Sequence, residues 1–169
     1  MRRAIGISPH TGWAACVVVS GSLVKPEIVA NEVIELLDES ERFCFHRAAT
    51  MERAAAEAWI ATVRAKATAS ARRALGPLLA AGVDVCAVVA KPGEPRSLDE
   101  VLASHPRIHT AEGHFYRDVL RDACPVPVHL ALPSSLDVSR VGKLAPPPWG
   151  KDQKLAALAA WSVMRRAAR

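Results

Sequence analysis

Four residues of this sequence combine reactive side chains with the surroundings of a reaction centre: His10, His109, Glu112 and Asp152. His10 stands in the turn Pro9-His10-Thr11-Gly12. An imidazole titrates near neutrality, so it can ligate a metal or act as a general base there; it can equally bond its own turn backbone. His105, His109 and Glu112 are spaced by four and three residues. On one continuous helix they would share a face, and two imidazoles with a carboxylate make half of a metal site. Pro106 falls between the histidines and argues against a continuous helix. With Thr110 as the helix cap instead, Glu112 complements the positive end of the helix dipole. Asp152 has two readings as well. It follows Pro146-Pro147-Pro148-Trp149-Gly150 at a helix start, where a carboxylate suits the dipole. It also shares a face with Leu155 and Ala159, which turns it toward the core side. The expected catalytic set is therefore His10, His109, Glu112 and Asp152, with Asp152, Glu112 and His109 as metal ligands.

A second chemistry concerns anions. Helix starts at Thr110 and Lys151 would offer free backbone N–H groups, which bind phosphate, and Lys91 ends a strand nearby. No glycine-rich phosphate loop accompanies them. Trp149 either stacks on a ligand or pins its own proline-rich loop. Lys91, Thr110 and Trp149 are the expected cofactor-binding residues.

The elements that must position these groups follow from pattern. Runs at 4–7, 13–19 and 28–37 read as strands joined by short connectors, the third with a bulge or shifted register. A long alanine-rich helix covers 48–79, with Gly76-Pro77 as a possible kink and Gly82 as its stop. Residues 83–90 are a nearly unbroken apolar run, the mark of a strand buried on both faces. A short helix at 98–103, a helix at 111–123, a fifth strand at 126–132 and a last helix at 151–166 complete the order. Residues 133–148 read as loop with one helical turn near 136–141. The order β-β-β-α-β-α-β-α predicts one domain over 1–169: a three-layer α/β/α fold on a mixed five-stranded sheet.

Composition limits the function classes. The chain has 169 residues, of which 50% are hydrophobic and 23% charged, enough for a real core and unlike a disordered tail or coiled coil. No apolar run reaches the roughly 18 residues needed to cross a bilayer, and Met1-Arg2-Arg3 does not open a signal peptide. A cytoplasmic protein without a membrane partner is expected. The net charge of +5 comes from Arg2, Arg3, Arg165, Arg166 and Arg169; the body between them is balanced. Basic residues of the long helix scatter around its wheel rather than form a nucleic-acid stripe. Cys16, Cys44, Cys86 and Cys124 form no C-x-x-C pair and read as reduced, mostly buried thiols.

The element order, the block Ile5-Gly6-Ile7-Ser8-Pro9-His10-Thr11-Gly12-Trp13-Ala14 and the late helix bearing Asp152 resemble the ribonuclease-H-like superfamily, in particular RuvC-type resolvases. The opening block is similar to their Gly-Ile-Asp-Pro-Gly strand and turn followed by Gly-Trp-Ala. Pro9–Trp13, Ser104-His105 with Ile108–Gly113, and Pro148-Trp149 with Asp152–Leu158 also resemble a small uncharacterised bacterial family. The superfamily resemblance implies a strand order 3-2-1-4-5, a divalent metal (Mg or Mn) held by carboxylates, and a nucleic-acid or nucleotide partner. It aligns Asp152 with the last metal-binding carboxylate, and places Ser8 where the first-strand aspartate stands. Three functions are expected in this order: a cleft that binds a metal or a phosphorylated or nucleotide ligand, with hydrolysis; a non-catalytic interaction or homodimerisation module; and a RuvC-like metal-dependent nuclease.

Overall fold

The computed structural model describes residues 2–22, 24–94 and 96–166. Three strands come first: β1 (Ala4–Pro9), β2 (Trp13–Gly21) and β3 (Pro26–Glu35). Both connections are antiparallel hairpins. The first turn is closed by His10 N–H donating to the Trp13 carbonyl at 2.8 Å, and Gly12 takes φ +87°, which only glycine adopts freely. β4 (Val85–Val89) and β5 (Val128–Ala131) pair in parallel, β4 against β1 and β5 against β4. The sheet order is β3-β2-β1-β4-β5. The helices are α1 (Cys44–Ala48), α2 (Arg53–Leu79), α3 (Leu98–Leu102), α4 (His105–Ala123) and α5 (Lys151–Arg166).

Alternation along the strands feeds two cores. Cys16 and Val18 of β2 pack with Ile5, Ile7, Cys86 and Val88 under α2 and α4. Val17 and Val19 pack with Ala4, Val85, Ala87 and Val89 against α5. A sheet buried on both faces needs such apolar strands, and helices on each side complete the three layers. Among the described residues no helix is long and apolar enough to cross a membrane.

The expected irregularity of the third strand is present: the register slips between Val18 and Val19 of β2, Val18 faces Ala30 and Val19 faces Ile28, so Val29 is the extra residue. Other expectations change. The third strand stops at Glu35, because Leu36 and Leu37 donate their N–H groups to Gly12 rather than to β2. The expected helix over 48–79 starts only at Arg53, after an extended Glu52 (φ −60°, ψ 149°), and a separate short helix, α1, ends at Ala48. Pro77 lies inside α2 without ending it. The larger correction concerns α4. It starts at His105, not after Thr110, and its cap position is Ser104. Pro106 sits in the first turn, where its missing N–H would have had no helical partner. Thr110 is inside the helix, its hydroxyl donating to the Pro106 carbonyl at 3.0 Å.

All four cysteines are free, and Cys16, Cys44 and Cys86 are buried. Burial raises the Cys16 thiol and pushes Cys44 up to about 12. Cys124 is half-buried at the end of α4, and a hydrogen bond with Cys86 lowers it to about 7.

α5 lies directly on β1. A Cβ built at Gly6 would stand 1.8 Å from the Ala156 carbonyl oxygen. Gly6→Ala is therefore expected to lower the unfolding free energy by about 3 kcal/mol or more, read from the urea midpoint, because backbone rather than a side-chain tip is in the way. The thiols give a chemical check. Near about pH 7.5, iodoacetamide should modify Cys124 first, with its rate falling below pH 7, while the buried thiols react only after unfolding. Peptide mass mapping that finds Cys44 labelled ahead of Cys124 would contradict this.

Candidate functional site: a histidine cluster and a sheet-end pair

The residues capable of chemistry fall into two groups. The first stands at the carboxyl end of β1. Ser8, on that strand, donates its hydroxyl to Asp152 Oδ1 at 3.3 Å. His10 Nε2 lies 2.8 Å from the same oxygen. The His10 ring stacks on Trp13, with centroids 4.2 Å apart and planes 3° from parallel. The imidazole thus reaches Asp152 rather than its own turn, and Asp152, in the first turn of α5, faces the end of the sheet. Both side chains of the pair are partly exposed, so the pair holds geometry more than it stabilises the fold.

The second group is built by α1 and α4. Because α4 is continuous from His105, the spacing of four and three places His105, His109 and Glu112 on one face. His46, from α1, comes to meet them. The ligating atoms of His46, His105 and His109 all lie within 4.8 Å of one another. His46 Nε2 and His105 Nε2 are 3.3 Å apart. Two nitrogens bound at about 2.0–2.1 Å to one tetrahedral zinc would stand about 3.3 Å apart. His105 and His109 are exposed and His46 is half-buried.

Glu112 is not in this ligand group. It is 2% exposed, and its Oε1 lies 2.9 Å from His46 Nδ1. A carboxylate facing Nδ1 orients the ring by taking a hydrogen bond there, which leaves Nε2 turned toward the other imidazoles. The supporting contacts are firm. Trp59 Nε1 donates to the Cys44 carbonyl at 3.1 Å, which seats α1 on α2. The Tyr116 hydroxyl, one turn beyond Glu112, donates to the Arg42 carbonyl at 2.6 Å. Burial raises the Tyr116 phenol, so it stays a donor. Arg42 in turn lies against Gly12, in the turn that carries His10. One chain of contacts therefore ties the two groups together.

The expected ligand set of Asp152, Glu112 and His109 is accordingly divided. Asp152 joins His10 and Ser8, Glu112 orients His46, and His109 belongs to the cluster. Among the described residues, no group of three metal-ligating side chains includes Asp152. Paired divalent cations need several converging carboxylates, yet β1 supplies Ser8 and the chain after β4 supplies Lys91. These residues do not fit such a centre. Lys91 and Thr110 line a cleft on the other side of α4. Trp149 donates its indole N–H to the Gly142 carbonyl at 2.8 Å and packs beside the α5 core, which pins its loop. His46 carries no motif in the sequence that marks it as a site residue. Its only signal is a histidine directly after the apolar stretch Phe43-Cys44-Phe45, in a five-residue helix too short to show a period.

The arrangement of five strands and flanking helices has solved counterparts. The chain superposes on the Thermus thermophilus RuvC structure with a TM-score of 0.56 at 13% identity, covering 98% of this chain and 95% of that one. It matches T. thermophilus RuvC in complex with a Holliday junction substrate with a TM-score of 0.57 at 16% identity, covering 99% and 96%. The fold is ribonuclease-H-like. No protein-family model matches the sequence, and no curated protein does. Within the ribonuclease-H-like frame, α5 and β1 bring Asp152 to Ser8, and α1 and α4 together carry the histidine cluster.

The buried carboxylate makes the cluster asymmetric. Removing His46 leaves Glu112 enclosed without its partner, whereas Glu112→Gln keeps a hydrogen-bonding neighbour. His46→Ala should cost about 3 kcal/mol, the low end for a broken buried pair because His46 is half-exposed. Glu112→Gln should cost about 1 kcal/mol. Adding Glu112→Leu to His46→Ala should recover part of the loss. Urea unfolding of the four proteins checks the order.

Proposed function

We propose that this protein is a metal-dependent hydrolase of ribonuclease-H-like fold that holds its cation among His46, His105 and His109. The observation that carries this reading is the meeting of three imidazoles within 4.8 Å, one of them oriented by the buried carboxylate of Glu112. Three nitrogen ligands leave a fourth position of a tetrahedral site open, and two of the histidines face solvent. That is the pattern of a catalytic rather than a structural centre. Imidazole favours zinc-class cations, whereas Mg²⁺ prefers oxygen ligands. Held by His46, His105 and His109, a zinc-class cation would supply a bound water of near-neutral pKa and Lewis acidity toward a phosphoryl oxygen. His10, held by Asp152 and Trp13, is the second group able to move a proton. The substrate class we assign is a phosphoester in nucleic acid. Its support is the fold shared with RuvC, which has been solved with a Holliday junction.

Metal-stripped protein should be unfolded thermally with and without Zn²⁺ or Co²⁺. At about 100 times its Kd, a cation adds about 2.7 kcal/mol. For a chain of this size that raises Tm by about 5–10 °C. The shift should vanish in His109→Ala, persist in Asp152→Ala, and be accompanied by visible absorption of bound Co²⁺. Cleavage of branched and single-stranded DNA should follow the same pattern of metal dependence. No shift with either cation would overturn the reading. A shift lost in Asp152→Ala but kept in His109→Ala would move the cation to the sheet end.

A further inference from the structure

The face of α4 opposite the histidine cluster borders a cleft of about 1050 Å³. At 100° per residue, Arg107, Thr110 and His114 point away from His105, His109 and Glu112. The cleft lies between α2, α4, α3 and the chain that leaves the carboxyl end of β4. In α/β sheets that end is where ligands bind.

Its surface is of two kinds. Phe45, Ile60, Val101 and Phe115 form an apolar floor. Phe45 and Phe115 meet edge to face, with centroids 6.0 Å apart. The rim is charged. Two of its basic residues already have partners: Arg117 pairs with Asp118 at 2.9 Å and Arg64 with Asp122 at 2.9 Å. Its acid Glu57 is paired with Arg53. Arg107 donates to the Glu100 carbonyl at 3.2 Å, and the Glu100 carboxylate stands near Arg96 and Arg107 without lining the cleft. Among the lining residues, Lys91, Arg96 and Arg107 then stand against one further acid, Glu94, so the lining is net positive. Lys91 makes no ion pair among the described residues. Polar atoms also stand at the edge of the floor. Gly93 passes so close to His114 that a Cβ there would stand 1.8 Å from the ring, and burial lowers the His114 pKa.

We infer that this cleft is a second ligand site, separate from the histidine cluster, that takes one nucleotide unit. The base lies against Phe45, the half-buried ring of the floor, because Phe115 beneath it is 3% exposed and has Arg64 over its ring; Thr110 and His114 stand at the edge. The phosphate lies at Lys91, Arg96 and Arg107. The cavity is large enough for a drug-sized ligand, which needs about 300–1,000 Å³. An aromatic floor takes a base face, and a cluster of two arginines and a lysine takes a phosphate dianion. The site needs no cation, so it stands or falls independently of the metal reading.

The test is isothermal titration of the whole protein with each of the four nucleoside 5′-monophosphates, with adenosine, and with inorganic phosphate. At least one monophosphate should bind, and adenosine and phosphate should each bind it about tenfold more weakly or worse. Lys91→Glu combined with Arg107→Glu should weaken binding by about tenfold or more. Ala111→Trp, which fills the cleft, should abolish it, with circular dichroism confirming that the variants are folded. His109→Ala should bind as wild type. A 5′-phosphorylated oligonucleotide that competes as well as the monophosphate identifies the unit as part of a strand; failure to compete identifies a free nucleotide. The proposal is overturned if no monophosphate binds, if inorganic phosphate binds as tightly, or if the charge-reversed and filled variants bind as wild type.

Discussion

The contact of α5 with β1 through Gly6 fixes much of this molecule. With no Cβ in the way, the helix backbone at Ala156 and Ala160 comes down onto the strand. Helix and strand run in opposite directions at nearly matched pace. Four helical residues advance about 6 Å and two strand residues about 6.6 Å. Gly6 against Ala156 therefore sets Ser8 against Asp152. The hydrogen bonds at the sheet end inherit their geometry from that packing rather than from the loop before α5. Small residues on α5, Ala156, Ala157, Ala159 and Ala160, are all buried and keep the layer thin.

The histidine cluster rests on a different principle. Its member from α1, His46, comes from a segment 59 residues away from His105. Nothing in the helical period of either segment specifies the meeting. Buried Glu112 specifies it, because an enclosed carboxylate needs a partner and His46 supplies one. Tyr116 and Trp59 then fix the short segment by bonding its carbonyls at Arg42 and Cys44. The cluster and the sheet-end pair are thus two outcomes of ordinary packing rules, linked where Arg42 touches the His10 turn.

Most of the fold was legible because its signals are strong. Apolar runs rich in Val and Ala gave the strands, and the connectors gave the hairpins and crossovers. Asp152 could be turned toward the sheet because Leu155 and Ala159 share its face. The start of α4 is ambiguous in the sequence because proline breaks a helix interior, whereas at the second position of a helix it costs nothing. The start at His105 restores the helical spacing of His105, His109 and Glu112, and removes Thr110 from the cap. His46 was not legible. A lone histidine in a five-residue helix carries no spacing, and its partner lies in another element. Lys91 and Thr110 do border one cleft, yet through the side of α4 rather than through its N-terminus.

The extra residue Val29 in β3 bears on how this sheet ends. β3 is an outer strand with one neighbour, so its far side presents unpaired main-chain groups. The bulge twists that border, and exposed Glu27, Glu32 and Glu35 repel an identical strand laid beside it. Main-chain extension of the sheet by another chain is thereby discouraged on this side, even though Val29 and Val33 leave apolar surface there. The kink that adjusts the hairpin internally also serves as a guard against aggregation.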